Sequence, residues 1–144
     1  MSGAARLYTP ELLGLAVRLA AYPFDDALPL QGAARSASCG STLAMGLALD
    51  DAGRIARIGL KVHACAVGQA AAALFADAAS GCDPAAILTA GEAMERWIGG
   101  EAAMPAWPGL TTIEPARAFP GRHGAMLLPW RAAVEALSKP GHTR

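Results

Sequence analysis

The residues able to bind a soft metal or carry sulfur are few: Cys39, Cys65 and Cys82, with His63, His123 and His142. Cys39 stands in Ser38-Cys39-Gly40-Ser41, where small neighbours let the backbone close on an ion or a partner. Cys65 directly precedes a helix-forming run, so its thiol is expected at a helix N-terminus, where unpaired N–H groups favour thiolate. Thiolate is the species that ligates zinc and iron–sulfur clusters and that takes up sulfane sulfur. Two thiols supply half of a tetrahedral site, and a free cysteine is often simply a small buried apolar residue. The spacing of Cys39 and Cys65 by itself leaves both readings open.

Two strands must position these thiols. Leu43, Met45, Leu47 and Leu49 alternate with small residues, and Ile58, Leu60 and Val62 alternate with Arg57, Gly59, Lys61 and His63. Asp50-Asp51-Ala52-Gly53 between them has turn chemistry. Directly opposed residues of an antiparallel pair share a face, so the apolar faces coincide only if Leu43 meets Val62, Met45 meets Leu60 and Leu47 meets Ile58. A slip of one residue would set the leucines against Lys61, Gly59 and Arg57. In the apolar register Cys39 and Cys65 arrive at the same open end of the hairpin.

Other elements follow in order. Thr9-Pro10-Glu11 is a helix start, and that helix is expected to reach about Ala21 before Pro23 stops it. Phe24 to Ala34, with Pro29 and Gly32, reads as loop with at most a short edge strand before Arg35. Ala66 to Ala79 reads as a helix and Gly81-Cys82-Asp83-Pro84 as a break that caps a further helix, Ala85 to Trp97. A loop follows from Gly99 to Pro108, with one or two helical turns over Leu110 to Ala118 and a turn at Phe119-Pro120-Gly121. A last helix should run to about Leu137, with Pro129 in its first turn. The elements make the fold class α+β.

At 144 residues the chain fits one domain, 1–144, with an ordered core over about 7–138. Twelve basic residues balance twelve acidic ones and no basic run occurs, which argues against nucleic acid or an anionic membrane as partner. Abundant alanine with 16 Gly and 10 Pro points to a GC-rich bacterial genome. No apolar segment is long enough to span a bilayer and the N-terminus lacks a signal-peptide layout, so the expected location is cytoplasmic. Three cysteines in a reducing compartment leave metal binding, thiol chemistry or packing rather than a disulfide framework.

Three segments together resemble the U-type iron–sulfur cluster assembly scaffolds, the IscU-like or NifU N-terminal family, over roughly Leu7 to Leu137. Ala37-Ser38-Cys39-Gly40-Ser41 matches that family's first-cysteine segment and Ala64-Cys65-Ala66-Val67-Gly68-Gln69-Ala70 its second. Arg122-His123-Gly124-Ala125-Met126-Leu127-Leu128-Pro129-Trp130 matches its third. The resemblance implies a small antiparallel sheet of about three strands with four to five helices packed mainly on one face, and that all three segments meet at one tip of the fold. It also implies a transient iron–sulfur cluster, with zinc as the alternative metal, held by Cys39, Cys65 and His123. The implied partners are a cysteine desulfurase and apo-protein cluster acceptors, and the implied state is a monomer or weak dimer. Such a protein has no turnover of its own and is not an enzyme.

The chain departs from that pattern. Ser41 stands where the family has an aspartate and Gly124 where it has a third cysteine, and the chaperone-binding segment is not recognisable in Ala118-Phe119-Pro120-Gly121-Arg122. Water, a partner's thiol or Ser41 would complete the coordination, and His63 is a substitute ligand or proton acceptor. The persulfide acceptors would be Cys65 and Cys39. Cys82 and His142 read as incidental, and Trp97, Trp107 and Trp130 as anchors for a small alanine-rich core. Two other functions remain open: a zinc-poised persulfide relay, and a metal-free docking module of the assembly machinery.

Overall fold

The computed structural model describes residues 7–37 and 40–138. Helix α1 (Pro10–Val17) is started by Thr9, whose hydroxyl accepts from the Leu12 N–H at 3.1 Å, and continues as a 3-10 turn over Arg18–Ala21. Three strands follow: β1 (Leu30–Arg35), β2 (Thr42–Leu49) and β3 (Ile55–His63). They form one antiparallel sheet in the order β1-β2-β3. Helices α2 (Ala66–Ala79), α3 (Pro84–Ile98) and α4 (His123–Ser138) complete the fold, with short 3-10 turns between α3 and α4. This is the α+β architecture expected from the pattern. No helix among the described residues is long and apolar enough to cross a membrane.

The β2–β3 register is the one the apolar faces demand, with Leu43 opposite Val62, Met45 opposite Leu60 and Leu47 opposite Ile58. Leu43, Met45 and Leu47 are buried beneath the helices, because their face is the only continuous apolar surface the hairpin offers. On β1 the same face carries Gly32, opposite Met45. A Cβ there would lie 2.7 Å from the Ala136 N and closer still to the Ala132 carbonyl, so glycine is what lets α4 lie directly on the strand.

Two expectations are corrected. β1 begins at Leu30, in a stretch read mainly as loop: its pairing with β2 and its packing on α4 override weak local propensity. Pro129 is the seventh residue of α4, not part of its first turn, because the helix already starts at His123. Burial of Ala125, Met126, Leu127, Leu128 and Trp130 on both sides of it compensates the hydrogen bond that proline removes.

The aromatic anchors behave as expected. Trp107 stacks on Phe75 at 5.5 Å and donates its indole N–H to the Leu74 carbonyl at 2.9 Å, pinning the loop after α3 onto α2. Trp130 meets both rings edge-on.

Candidate functional site

The site is assembled at one end of the sheet. Thr42, the first residue of β2, pairs with His63, the last of β3, so the chain entering β2 and the chain leaving β3 run side by side. The β1–β2 connection is a tight turn closed by Ser36 N–H to the Ser41 carbonyl at 2.8 Å and Gly40 N–H to the Ser36 carbonyl at 2.9 Å. Cys39, with Ser38, lies outside the described residues; its covalent neighbour Gly40 has a positive φ of 70°, a conformation that suits glycine. Ser36 and Ser41 are both buried at this turn.

Cys65 follows two residues after His63 and is the N-cap of α2, with an extended backbone (φ −66°, ψ 172°) and a half-buried side chain that makes no capping hydrogen bond. The first N–H groups of α2 are thus not satisfied by the residue placed to cap them. Gly68, one turn on, makes room for the residue that leads into the helix: a Cβ at 68 would stand 2.7 Å from Ala64 Cβ. Toward Ala125 and Leu128 of α4 it would make only ordinary contacts.

The third segment docks on the first through its glycine. A Cβ at Gly124 would overlap the Ser36 hydroxyl and stand 3.0 Å from Ser36 Cβ. Ser36 therefore packs where a side chain at position 124 would begin. His123 opens α4, half-buried, with Nε2 2.7 Å from the Arg117 carbonyl. A carbonyl can only accept, so Nε2 carries the proton and Nδ1 keeps the lone pair that could take a metal or a proton. Arg117 is itself held by a hydrogen bond from its guanidinium to the Trp97 carbonyl at 3.0 Å and lies over the Trp97 ring. The sequence reading did not single out Ser36 or Arg117; a glycine in a helix's first turn was the signal that something presses against it.

His63 is exposed on the outer face of the sheet, in a row with Thr42 and Arg35 and beside Lys61. Among the described residues no three His, Cys, Asp or Glu side chains gather as a metal-binding group, so Cys65, His63 and His123 do not form a site by themselves. Cys82 sits at the other end of the sheet: its carbonyl accepts from the N–H of Ile55, the first residue of β3, at 2.8 Å. A nine-residue strand separates it from Cys65, roughly 30 Å of chain.

No protein-family model matches the sequence, and no curated protein matches it. Solved structures do. A NifU-like nitrogen-fixation protein (N-terminal) from Brucella abortus superposes with a TM-score of 0.84 at 25% identity, covering 94% of this chain and 95% of that one. A putative iron–sulfur cluster assembly scaffold protein for the SUF system from Fervidobacterium islandicum AW-1 gives 0.81 at 18% identity, over 92% and 97% of the two chains. The fold is that of the U-type scaffolds. The chain shares this fold with both proteins over nearly its full length.

Proposed function

We propose that this protein is an iron–sulfur cluster assembly scaffold or carrier that holds iron and sulfur transiently on Cys39 and Cys65, with His123 as third ligand through Nδ1. The observation that carries the reading is the strand register, Thr42 opposite His63, which sets the 36–41 turn beside the start of α2 in a fold shared with the Brucella abortus NifU-like protein. Thiolate with imidazole suits iron or zinc, and the two sulfurs are the soft donors a cluster needs.

In this reading a cysteine desulfurase docks at the tip and offers a persulfide. The Cys65 thiolate attacks the outer sulfur, the S–S bond breaks, and the donor's thiolate leaves. The uncapped N–H groups at the start of α2 stabilise the anionic sulfur at both stages. Turning that sulfane sulfur into cluster sulfide takes two electrons from an external reductant of the ferredoxin or thiol class. With glycine at position 124, the fourth ligand comes from solvent or a partner, and a loosely held cluster suits transfer to an apo-protein. The chain itself turns nothing over, so it acts as a carrier rather than an enzyme.

Anaerobic incubation of the chain with ferrous iron, cysteine and a desulfurase, read by visible absorbance and metal analysis, tests this. The expected result is cluster absorbance that is lost in Cys39→Ala and in Cys65→Ala. Bound zinc, no colour and a persulfide on Cys65 by mass spectrometry would replace the scaffold with a sulfur relay, the reading favoured if position 124 limits the ligand set. Neither metal nor persulfide on a folded chain would leave a docking module.

A further inference from the structure

We propose that the outer face of the sheet, at the end next to Cys65, is a docking groove for an extended acidic segment of a partner protein. The inference stands apart from the cargo reading above, since it concerns the opposite face of the sheet from the helices. Arg35, Thr42 and His63 lie in one cross-strand row, and Ala33, Ala44 and Lys61 in the next. Arg35, Lys61 and His63 are exposed, while Ala33, Thr42 and Ala44 make a floor of small side chains. The result is a concavity of about 470 Å³ walled by basic groups, with no Asp or Glu among its described lining residues.

That polarity is local. The chain as a whole carries twelve charges of each sign, and Arg57, further along the same face, is paired with Asp25 at 3.1 Å. Neither Arg35 nor Lys61 has an ion-pair partner among the described residues. Glu135 of α4 reaches the β1 edge, where its carboxylate is engaged on the Ala33 N–H at 2.7 Å. That contact also blocks the β1 edge, so an incoming segment has to lie across the face rather than add as a fourth strand beside β1.

Spacing selects the occupant. Lys61 and His63 are two residues apart on one strand, roughly 7 Å, and Arg35 and His63 flank β2 at roughly 10 Å. The three groups are thus spread over an area rather than gathered at a point. An extended chain with acidic residues at alternate positions, repeating at roughly 7 Å, matches the Lys61–His63 step, while its neighbouring carboxylate comes within reach of the long Arg35 side chain. His63 is the one ring among the groove's described lining residues, too few for successive bases to stack on, which disfavours single-stranded nucleic acid. A segment seated here would end beside Cys65, two residues beyond His63.

The test is an amide-shift titration of the isotopically labelled full chain with a capped Glu-Ser-Glu-Ser-Glu peptide at low ionic strength. Shifts are expected at Ala33, Ala44, Lys61 and His63, with affinity falling about tenfold in Arg35→Glu/Lys61→Glu and unchanged in Arg54→Glu, at the far end of the sheet. Added salt should weaken binding. Shifts scattered over the molecule, or equal affinity in the double variant with its fold intact, would overturn the proposal. So would citrate or phosphate binding as well as the peptide, or an RNA oligomer binding better.

Discussion

At one end of the sheet Asp83 caps α3, and at the other Cys65 caps α2, with nearly the same extended backbone, ψ 166° and ψ 172°. The Asp83 carboxylate accepts from the Ala86 N–H at 2.8 Å, whereas the Cys65 thiol makes no capping bond. The contrast extends to the turns. At the far end Asp50 Oδ1 takes the N–H groups of both Ala52 and Arg54, and Ile55 exchanges two backbone bonds with Gly81 and Cys82, each 2.8 Å. At the Cys65 end the chain packs closely, as Gly124 does against Ser36, and the side chain placed to cap α2 makes no capping bond. The far end is satisfied by its own side chains; at the Cys65 end the cap of α2 is left open.

The largest perturbation of that contrast is Gly124→Cys. Introducing a thiol there forces a side chain into the volume of Ser36, and overpacking of this kind costs about 1–3 kcal/mol. Urea unfolding should show that loss, and Ser36→Gly/Gly124→Cys should recover much of it, because Ser36 Cα would be 3.5 Å from the new Cβ, an ordinary contact. A Gly124→Cys single variant as stable as the parent would mean that the slot is not filled.

Smaller, and opposite in sign at the two ends, are the cap substitutions. Asp83→Ala should destabilise by about 1 kcal/mol, the usual value of an N-cap bond. Cys65→Asp should stabilise by about 0.5–1 kcal/mol while abolishing any persulfide at that position. If melting curves show Cys65→Asp to be neutral or worse, the donors at the start of α2 are already committed and the contrast between the ends fails.

Much of this was legible in the sequence, and what was legible was local or periodic. Two alternating runs have only one apolar register, so the Leu43–Val62 and Met45–Leu60 pairs could be written down from the pattern. The helix from Ala66 to Ala79 and the Thr9 cap are equally local signals. β1 was under-read because Gly32 looks like a loop residue until α4 lies on it. The pressure of Ser36 on Gly124, and the meeting of Arg35 with Lys61 and His63, depend on pairing β1 with β2 and on packing α4 against both. No periodicity encodes such contacts.

The smallest effect belongs to the satisfied end. Asp77, near the C-terminus of α2, takes the Arg18 Nε at 2.8 Å and the Tyr22 hydroxyl at 2.6 Å. Partial burial pushes the Asp77 carboxyl up, but the hydrogen bonds from Arg18 and Tyr22 and the Arg18 charge outweigh it and hold the group below the ordinary carboxylate range. The Tyr22 phenol is raised, chiefly because its hydroxyl donates to Asp77 and then by burial. The signs follow. A carboxyl lowered by folding contributes stability above its unfolded value of about 3.9, lost as pH falls through the folded value; a phenol raised by folding contributes below about 10, lost as pH rises through its own. The stability difference between the parent and Asp77→Asn should therefore be flat across neutral pH and shrink at both extremes. The Arg18 side chain is 59% exposed, so salt should screen its share. A difference that instead grew below pH about 4 would reverse the sign assigned to Asp77 and remove this network from the satisfied end of the comparison.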